Sequence, residues 1–136
     1  MSWLLDTNVL SELRKLRPEP RVMRWVSKHE DSLFLSVLTL GELEKGIRLH
    51  PERAKRQLLS RWLEEEVIPW FSGRILPIDE AVSRRLGQLL AEAKQPLPAV
   101  DALIGATALT HDLIIATRNV SDLALTGAPI INPWDE

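Results

Sequence analysis

Three carboxylates occupy positions in the sequence from which they could hold a metal ion. Asp6 directly follows the apolar run Trp3–Leu5, and Glu42 comes a few residues after the next such run. Asp101 falls in the first turn of a helix that is predicted to follow Pro98. Hard cations such as Mg²⁺ and Mn²⁺ take oxygen ligands and retain several waters, and they promote in-line attack on phosphodiesters. The pattern therefore favours metal-dependent phosphodiester hydrolysis.

A fourth segment offers an amide and a further acid, Asn119 and Asp122, after the apolar run Leu113–Ala116. Each of these residues also has a structural interpretation, because acids and amides favour helix N-termini. Asp6 or Asn8 could cap the first helix, which is predicted to begin at about Val9, and Asp101 could be a first-turn acid. These structural interpretations do not require the side chains to converge, whereas a metal site does.

Two of these segments match helix-capping patterns. Thr39 and Glu42 have the spacing of a capping box, so capping and catalysis stay equally open for Glu42. Asn119 resembles a helix cap and Asp122 the acid of the first turn that follows it. The sequence alone therefore leaves the roles of Glu42, Asn119 and Asp122 undecided.

Competing chemistries find little support in the sequence. The chain has no cysteine, which excludes disulfides, thiol nucleophiles and cysteine metal sites, and its three histidines are scattered. Gly41 and Gly46 have the spacing of a phosphate-binding loop, but Ile47 and Arg48 stand where that loop needs Lys and Ser or Thr. The five tryptophans are interpreted as core and interface anchors rather than as base-stacking platforms: Trp3, Trp25, Trp62, Trp70 and Trp134.

Charge is distributed unevenly along the 136 residues. The formal net charge of -2 divides into +4 over residues 1–61 and -6 over residues 62–136. The basic first half could meet phosphate or an acidic partner, or it could be a solvated helix face. No stretch has the apolar length of a membrane span, and the N-terminus lacks the apolar core of a signal peptide, so we expect a cytoplasmic protein.

Alternating strands and helices must position these side chains. Helical apolar stripes at residues 58–67, 82–93 and 100–108 separate short apolar runs, a pattern that predicts crossover helices around a parallel sheet. The fold class is therefore α/β, with three layers, about five mainly parallel strands, and a single domain spanning residues 1–136. The predicted strands are Trp3–Leu5, Leu33–Leu35, Arg74–Leu76, Leu113–Ala116 and Pro129–Ile131.

Taken as a set, these motifs resemble the PIN-domain ribonucleases, and within them the toxins of VapC and FitB type from bacterial toxin-antitoxin pairs. The resemblance rests on five segments: Leu4–Glu12, Ser36–Leu43 with Gly46, Asp101–Ala108, Ala116–Asn119 and Ile131–Trp134. It implies a three-layer α/β/α PIN fold and an endoribonuclease that depends on Mg²⁺ or Mn²⁺. It also implies a homodimer, and a cognate antitoxin that inhibits the enzyme and binds operator DNA.

The resemblance assigns roles to individual residues. Asp6, Glu42 and Asp101 fall on the three main acids of the family, and Asp6 and Asp101 are expected to bind the metal directly. The fourth acid is replaced by Asn119, with Asp122 three residues later, which leaves open whether the site holds one ion or two.

Three neighbouring residues are assigned supporting roles by the same resemblance. Thr7 and Thr117 are expected to support the site by hydrogen bonding. Arg118 could contact a phosphate or the antitoxin, or it could be an ordinary surface arginine.

The leading hypothesis from the sequence is an endoribonuclease toxin that hydrolyses RNA with a metal-activated water. One alternative is a catalytically silent binding module within an antitoxin complex on DNA. The other keeps the metal site but cleaves DNA, because sensing of the 2′-OH depends on surface geometry that the sequence does not display.

Overall fold

The computed structural model describes residues 1–136 and contains one five-stranded sheet with helices on both of its faces. The strands are β1 (Trp3–Leu5), β2 (Leu33–Ser36), β3 (Ile75–Leu76), β4 (Ile114–Ala116) and β5 (Ile130–Ile131). They are arranged in the order β3-β2-β1-β4-β5, and every neighbouring pair is parallel. The predicted α/β class, the five short strands and their parallel arrangement are confirmed.

Eight α-helices connect the strands: α1 (Thr7–Leu13), α2 (Pro20–His29), α3 (Val37–Arg48), α4 (Arg53–Trp62), α5 (Ile68–Trp70), α6 (Glu80–Glu92), α7 (Ala99–Thr110) and α8 (Val120–Ala124). A π-helical turn at Leu63–Val67 joins α4 to α5, and 3-10 turns occupy Glu30–Ser32 and Pro133–Asp135. None of the helices is both long and apolar enough to cross a bilayer.

The central strand β1 buries side chains on both faces of the sheet. Because successive residues of a strand point to opposite faces, Trp3 and Leu5 enter one apolar cluster while Leu4 enters another. The first cluster also holds Phe71 and is the larger, with 15 buried residues. The second cluster has seven buried residues and packs the sheet against α7 through Ile104. Helices must therefore cover both faces of the sheet, as in other all-parallel sheets.

Three local expectations were wrong. α1 begins at Thr7 rather than near Val9, because the Asp6 side chain caps it. The predicted apolar stripe of α6 reaches Ala93, but the helix ends one residue earlier, at Glu92. The capping box at Thr39 is absent, because α3 begins earlier, at Val37, with Ser36 as its cap.

Candidate active site

An open cleft at the carboxyl edge of the sheet gathers most of the predicted site residues. It has a volume of about 490 Å³, and Asp6, Glu42, Asp101 and Asn119 all line it. Asp6 directly follows β1 and Asn119 follows β4, whereas the other two lie on α3 and α7. Parallel strands all end at the same edge, which is why residues so far apart in sequence meet here.

Asp6 is held from both of its carboxylate oxygens. Its Oδ1 accepts the Thr7 backbone N–H at 2.9 Å, which caps α1. Its Oδ2 accepts the Thr117 hydroxyl at 2.8 Å and the Asn8 amide at 3.4 Å. The sequence left open whether Asp6 caps a helix or belongs to the site. In the structure its side chain caps α1 and also lines the cleft.

Thr117 fixes three other groups from a fully buried position after β4. Its hydroxyl donates to Asp6 Oδ2 and accepts from Asn8 Nδ2 at 3.2 Å and from the Asn119 backbone N–H at 2.9 Å. One donor and two acceptor sites are all that a hydroxyl has, so Thr117 is fully used and cannot rotate freely.

Glu42 lies in the middle of α3, not at its start, and its side chain is exposed to the cleft. The Thr7 hydroxyl donates to Glu42 Oε1 at 2.7 Å, across 35 residues of sequence. Thr7 therefore fixes two of the acids, since its backbone N–H holds Asp6 and its hydroxyl holds Glu42.

Asp101 is half-buried in the first turn of α7, and its electrostatic environment is unfavourable. Burial raises its pKa above the usual value, and the negative charges of Asp6 and Asp122 raise it further. Like charges that repel in this way are stabilised when a cation binds among them. Asp122 itself is exposed and does not line the cleft.

Asn119 occupies the N-cap position of α8, but its side chain makes no capping hydrogen bond. The amide is half-buried at the wall of the cleft, and only its backbone N–H is fixed, to Thr117. The predicted cap is therefore present by position alone, and the side chain stays free for another contact.

Five residues that line the cleft were not assigned to the site from the sequence: Asn8, Ser11, Glu12, Lys15 and Trp134. Asn8, Ser11 and Glu12 have helical spacing, so a search for polar residues that follow Asp6 on one helix face would have found them. Glu12 is buried, accepts from Lys15 Nζ at 2.8 Å and from the Glu19 backbone N–H at 2.9 Å, and has a lowered pKa for these reasons.

Oxygen donors and negative charge suit this cleft to a divalent hard cation. However, no three acidic or histidine side chains of the chain lie close enough together to hold one ion among them. Magnesium is commonly bound by one or two carboxylates and completes its coordination with water, so the donor set fits such an ion without three convergent carboxylates.

Comparison with known proteins identifies the family. A family model described as PIN domain matches residues 3–123. The chain is therefore a member of the PIN-domain family. This PIN domain is 39% identical over 136 residues to the VapC ribonuclease Y4jK of Sinorhizobium fredii, with 97% of each chain covered. Toxin FitB of Neisseria gonorrhoeae is 37% identical, with 98% of this PIN domain and 99% of FitB covered.

Solved structures show the same likeness. The FitAcB structure from Neisseria gonorrhoeae matches this PIN domain with a TM-score of 0.92 and 36% identity, covering 98% of it and 99% of the other chain. The structure of FitAB bound to a DNA fragment matches with a TM-score of 0.89 and 34% identity, covering 97% of this PIN domain and 95% of the other chain. A toxin-antitoxin complex from Klebsiella pneumoniae matches with a TM-score of 0.72 and 28% identity, covering 97% of this PIN domain and 98% of the other chain. The predicted PIN fold and the resemblance to VapC and FitB are confirmed.

Proposed function

We propose that this PIN domain is a metal-dependent endoribonuclease and the toxin of a toxin-antitoxin pair. The observation that carries the proposal is that Asp6, Glu42 and Asp101 line one open cleft at the carboxyl edge of the sheet. The 39% identity to a relative named a VapC ribonuclease supports RNA as the substrate.

Asp6 and Asp101 are proposed to bind Mg²⁺ or Mn²⁺ directly, with Glu42 as the third acid of the site. When bound, such an ion supplies a more acidic water for attack and positive charge beside the phosphodiester. The raised pKa of Asp101 supports this assignment, because it reflects a carboxylate whose charge the surrounding protein leaves poorly compensated.

Other residues of the chain would orient the reacting groups. Thr7 holds Glu42 through Oε1, which leaves Oε2 without a protein partner and free to take a proton from the attacking water. Thr117 fixes Asp6, and the amide of Asn119, which makes no capping hydrogen bond, would hold a water or a phosphate oxygen. Asp122 would act from outside the cleft, through its charge on Asp101.

The partners follow from the relatives. FitB is named a toxin, and the Klebsiella structure is described as a toxin-antitoxin complex. We propose that this chain likewise binds a cognate antitoxin and forms a homodimer. We propose further that it contacts DNA only through that antitoxin, in line with the FitAB structure bound to a DNA fragment.

The test compares cleavage of a single-stranded RNA oligonucleotide by wild type and Asp6→Asn, with Mg²⁺ or Mn²⁺ added. We expect Asp6→Asn to cleave at least about a hundredfold more slowly, because it loses a charged metal ligand. Asp79→Asn is the matched control: Asp79 caps α6 through the Val82 N–H, as Asp6 caps α1, but it lies outside the cleft.

Equal cleavage by wild type and Asp6→Asn would contradict the site assignment. A DNA oligonucleotide of the same sequence tests the DNA-nuclease alternative in the same assay. Growth on expression of the chain alone tests the binding-module alternative, since arrest that requires Asp6 needs an enzyme.

A further inference from the structure

The candidate cleft offers few positive charges to an RNA strand. Four carboxylates line it, and its only cations are Lys15 and Arg118. Lys15 is paired with the buried Glu12, whose carboxylate lies 2.8 Å from Lys15 Nζ. Its charge is therefore balanced within the protein. Arg118 takes part in none of the three ion pairs of the chain and remains the cation available to a phosphate.

The position of Arg118 is fixed from two directions. Its backbone N–H donates to Asn8 Oδ1 at 3.3 Å, which ties the loop after β4 to α1. Its exposed guanidinium lies over the Trp134 ring, 5.1 Å from the ring centroid. A cation–π contact uses none of the hydrogen-bond donors of a guanidinium, and the Arg118 guanidinium donates to no other group of the protein. Its N–H groups are therefore available to phosphate oxygens.

Trp134 reaches this place because β5 ends at the same edge of the sheet. The Thr117 N–H donates to the Ile131 carbonyl at 3.0 Å, which sets the end of β5 beside the loop that carries Arg118. The 3-10 turn that follows is closed by Asn132 Oδ1, which accepts the backbone N–H of Trp134 at 3.0 Å. Trp134 also packs against the larger apolar cluster, so its ring is a rigid support.

From this arrangement we infer that Arg118 binds a phosphate of the RNA strand and that Trp134 is a positioning residue that holds the guanidinium at the rim of the acid cleft. The inference rests on the proposed ribonuclease function and adds a role for the turn after β5. It also revises the sequence interpretation of Trp134, which acts as a core anchor and supports the site at once.

The first experiment measures binding of a labelled single-stranded RNA oligonucleotide of mixed sequence, by fluorescence anisotropy, in the Asp6→Asn background at several salt concentrations. Arg118→Gln should weaken binding about tenfold and lower the slope of log Kd against log salt by about 0.7, as expected for one lost phosphate contact. Arg85→Gln is the matched control, because it removes the same charge outside the cleft. Arg85 lies beside residues 125–127, which precede β5 and so lie at the amino edge of the sheet.

The second experiment asks whether Trp134 acts through Arg118. Trp134→Leu alone should weaken binding about threefold, the effect of losing one exposed cation–π contact. In the Arg118→Gln background it should have no further effect, because nothing remains to be positioned. Trp134→Phe, which keeps an aromatic face, should lie between wild type and Trp134→Leu, and thermal unfolding of each variant separates binding from folding.

Each outcome is decisive. Unchanged binding and salt slope in Arg118→Gln would overturn the phosphate assignment. An equal loss from Trp134→Leu in both backgrounds would overturn the positioning role and indicate direct base stacking instead. RNA cleavage by wild type is measured separately. If wild type cleaves RNA but Arg118→Gln binds it unchanged, the inference about Arg118 is wrong and the proposed function stands. If wild type does not cleave RNA, the proposed function is wrong whatever Arg118 binds.

Discussion

At the scale of single residues, capping and catalysis do not exclude each other at Asp6. A carboxylate has two oxygens, and here one caps α1 while the other accepts the Thr117 hydroxyl inside the cleft. Asn119 is the opposite case, because it holds the cap position without making the bond. Position in the sequence therefore predicts which residues stand at a helix start, but only the hydrogen bonds show how each side chain is used.

Asp101→Asn should raise the thermal stability of the metal-free protein at neutral pH. The folded-state pKa of Asp101 is raised, so its contribution to stability is fully present below the unfolded value near 3.8 and is lost as the pH rises through the folded value. The gain in Tm should therefore be largest at pH values above the folded-state pKa of Asp101 and should vanish at pH values below about 3.8. Calorimetry across the pH range measures the effect.

The exposed Asp112 provides a control for the loss of charge. It has a positive φ of 54°, a conformation that Asn also tolerates, so Asp112→Asn should change the Tm at neutral pH little. A Tm for Asp101→Asn that stays at or below the wild-type value at neutral pH would contradict the electrostatic account of this site.

At the scale of elements, the sequence predicted the strands better than the helix starts. Strand positions follow from short apolar runs, which are a local signal. The start of α3 was missed because β2 passes into it with no intervening loop: Ser36 ends the strand and caps the helix through the Leu38 N–H. That earlier start moves Glu42 into the helix interior, where Thr7 reaches it.

Gly105→Ala should destabilise the protein by about 1–3 kcal/mol, because α7 and the segment after α8 approach each other too closely for a side chain. A Cβ at Gly105 would lie 2.7 Å from Thr126 Cγ2 and Oγ1, and Thr126 is buried. Gly87→Ala in the exposed part of α6 is the control, since a Cβ there meets nothing within 4 Å.

The control variant should be as stable as wild type or more so by about 0.5–1 kcal/mol, through helix propensity alone. Urea unfolding of both variants measures the difference. Equal stability changes for the two glycines would show that the contact between α7 and Thr126 relaxes freely.

At the scale of the whole molecule, the basic first half is only partly available to partners. Arg48, Arg53 and Arg56 line one cleft between α3 and α4. Within it, Arg48 pairs with Glu44, and the Arg56 guanidinium donates to the carbonyls of His50 and Pro51. The excess of +4 therefore includes charges that the fold itself uses.

Mg²⁺ should stabilise the whole protein, because binding to the folded state alone raises the free energy of unfolding. At about ten times the dissociation constant, Tm should rise by about 5 °C. Asp101→Asn should remove most of this rise, and Asp112→Asn should keep it. Thermal scans with MgCl₂, and with NaCl at equal ionic strength, measure the effect, and an equal rise with both salts would indicate screening rather than a site.

The sequence by itself determined the fold class, the five strands, the place of Asp6 after a strand and that of Asp101 in the first turn of a helix, because apolar runs and helical spacing are read within a few residues. Tertiary structure decided what holds the acids of the cleft. Thr117 bonds Asp6 across 111 residues and Thr7 bonds Glu42 across 35, while the Trp134 ring supports Arg118. Such contacts exist only because β1, β4 and β5 are neighbours in the sheet, and strand order is set by the packing of the whole chain rather than by any local pattern.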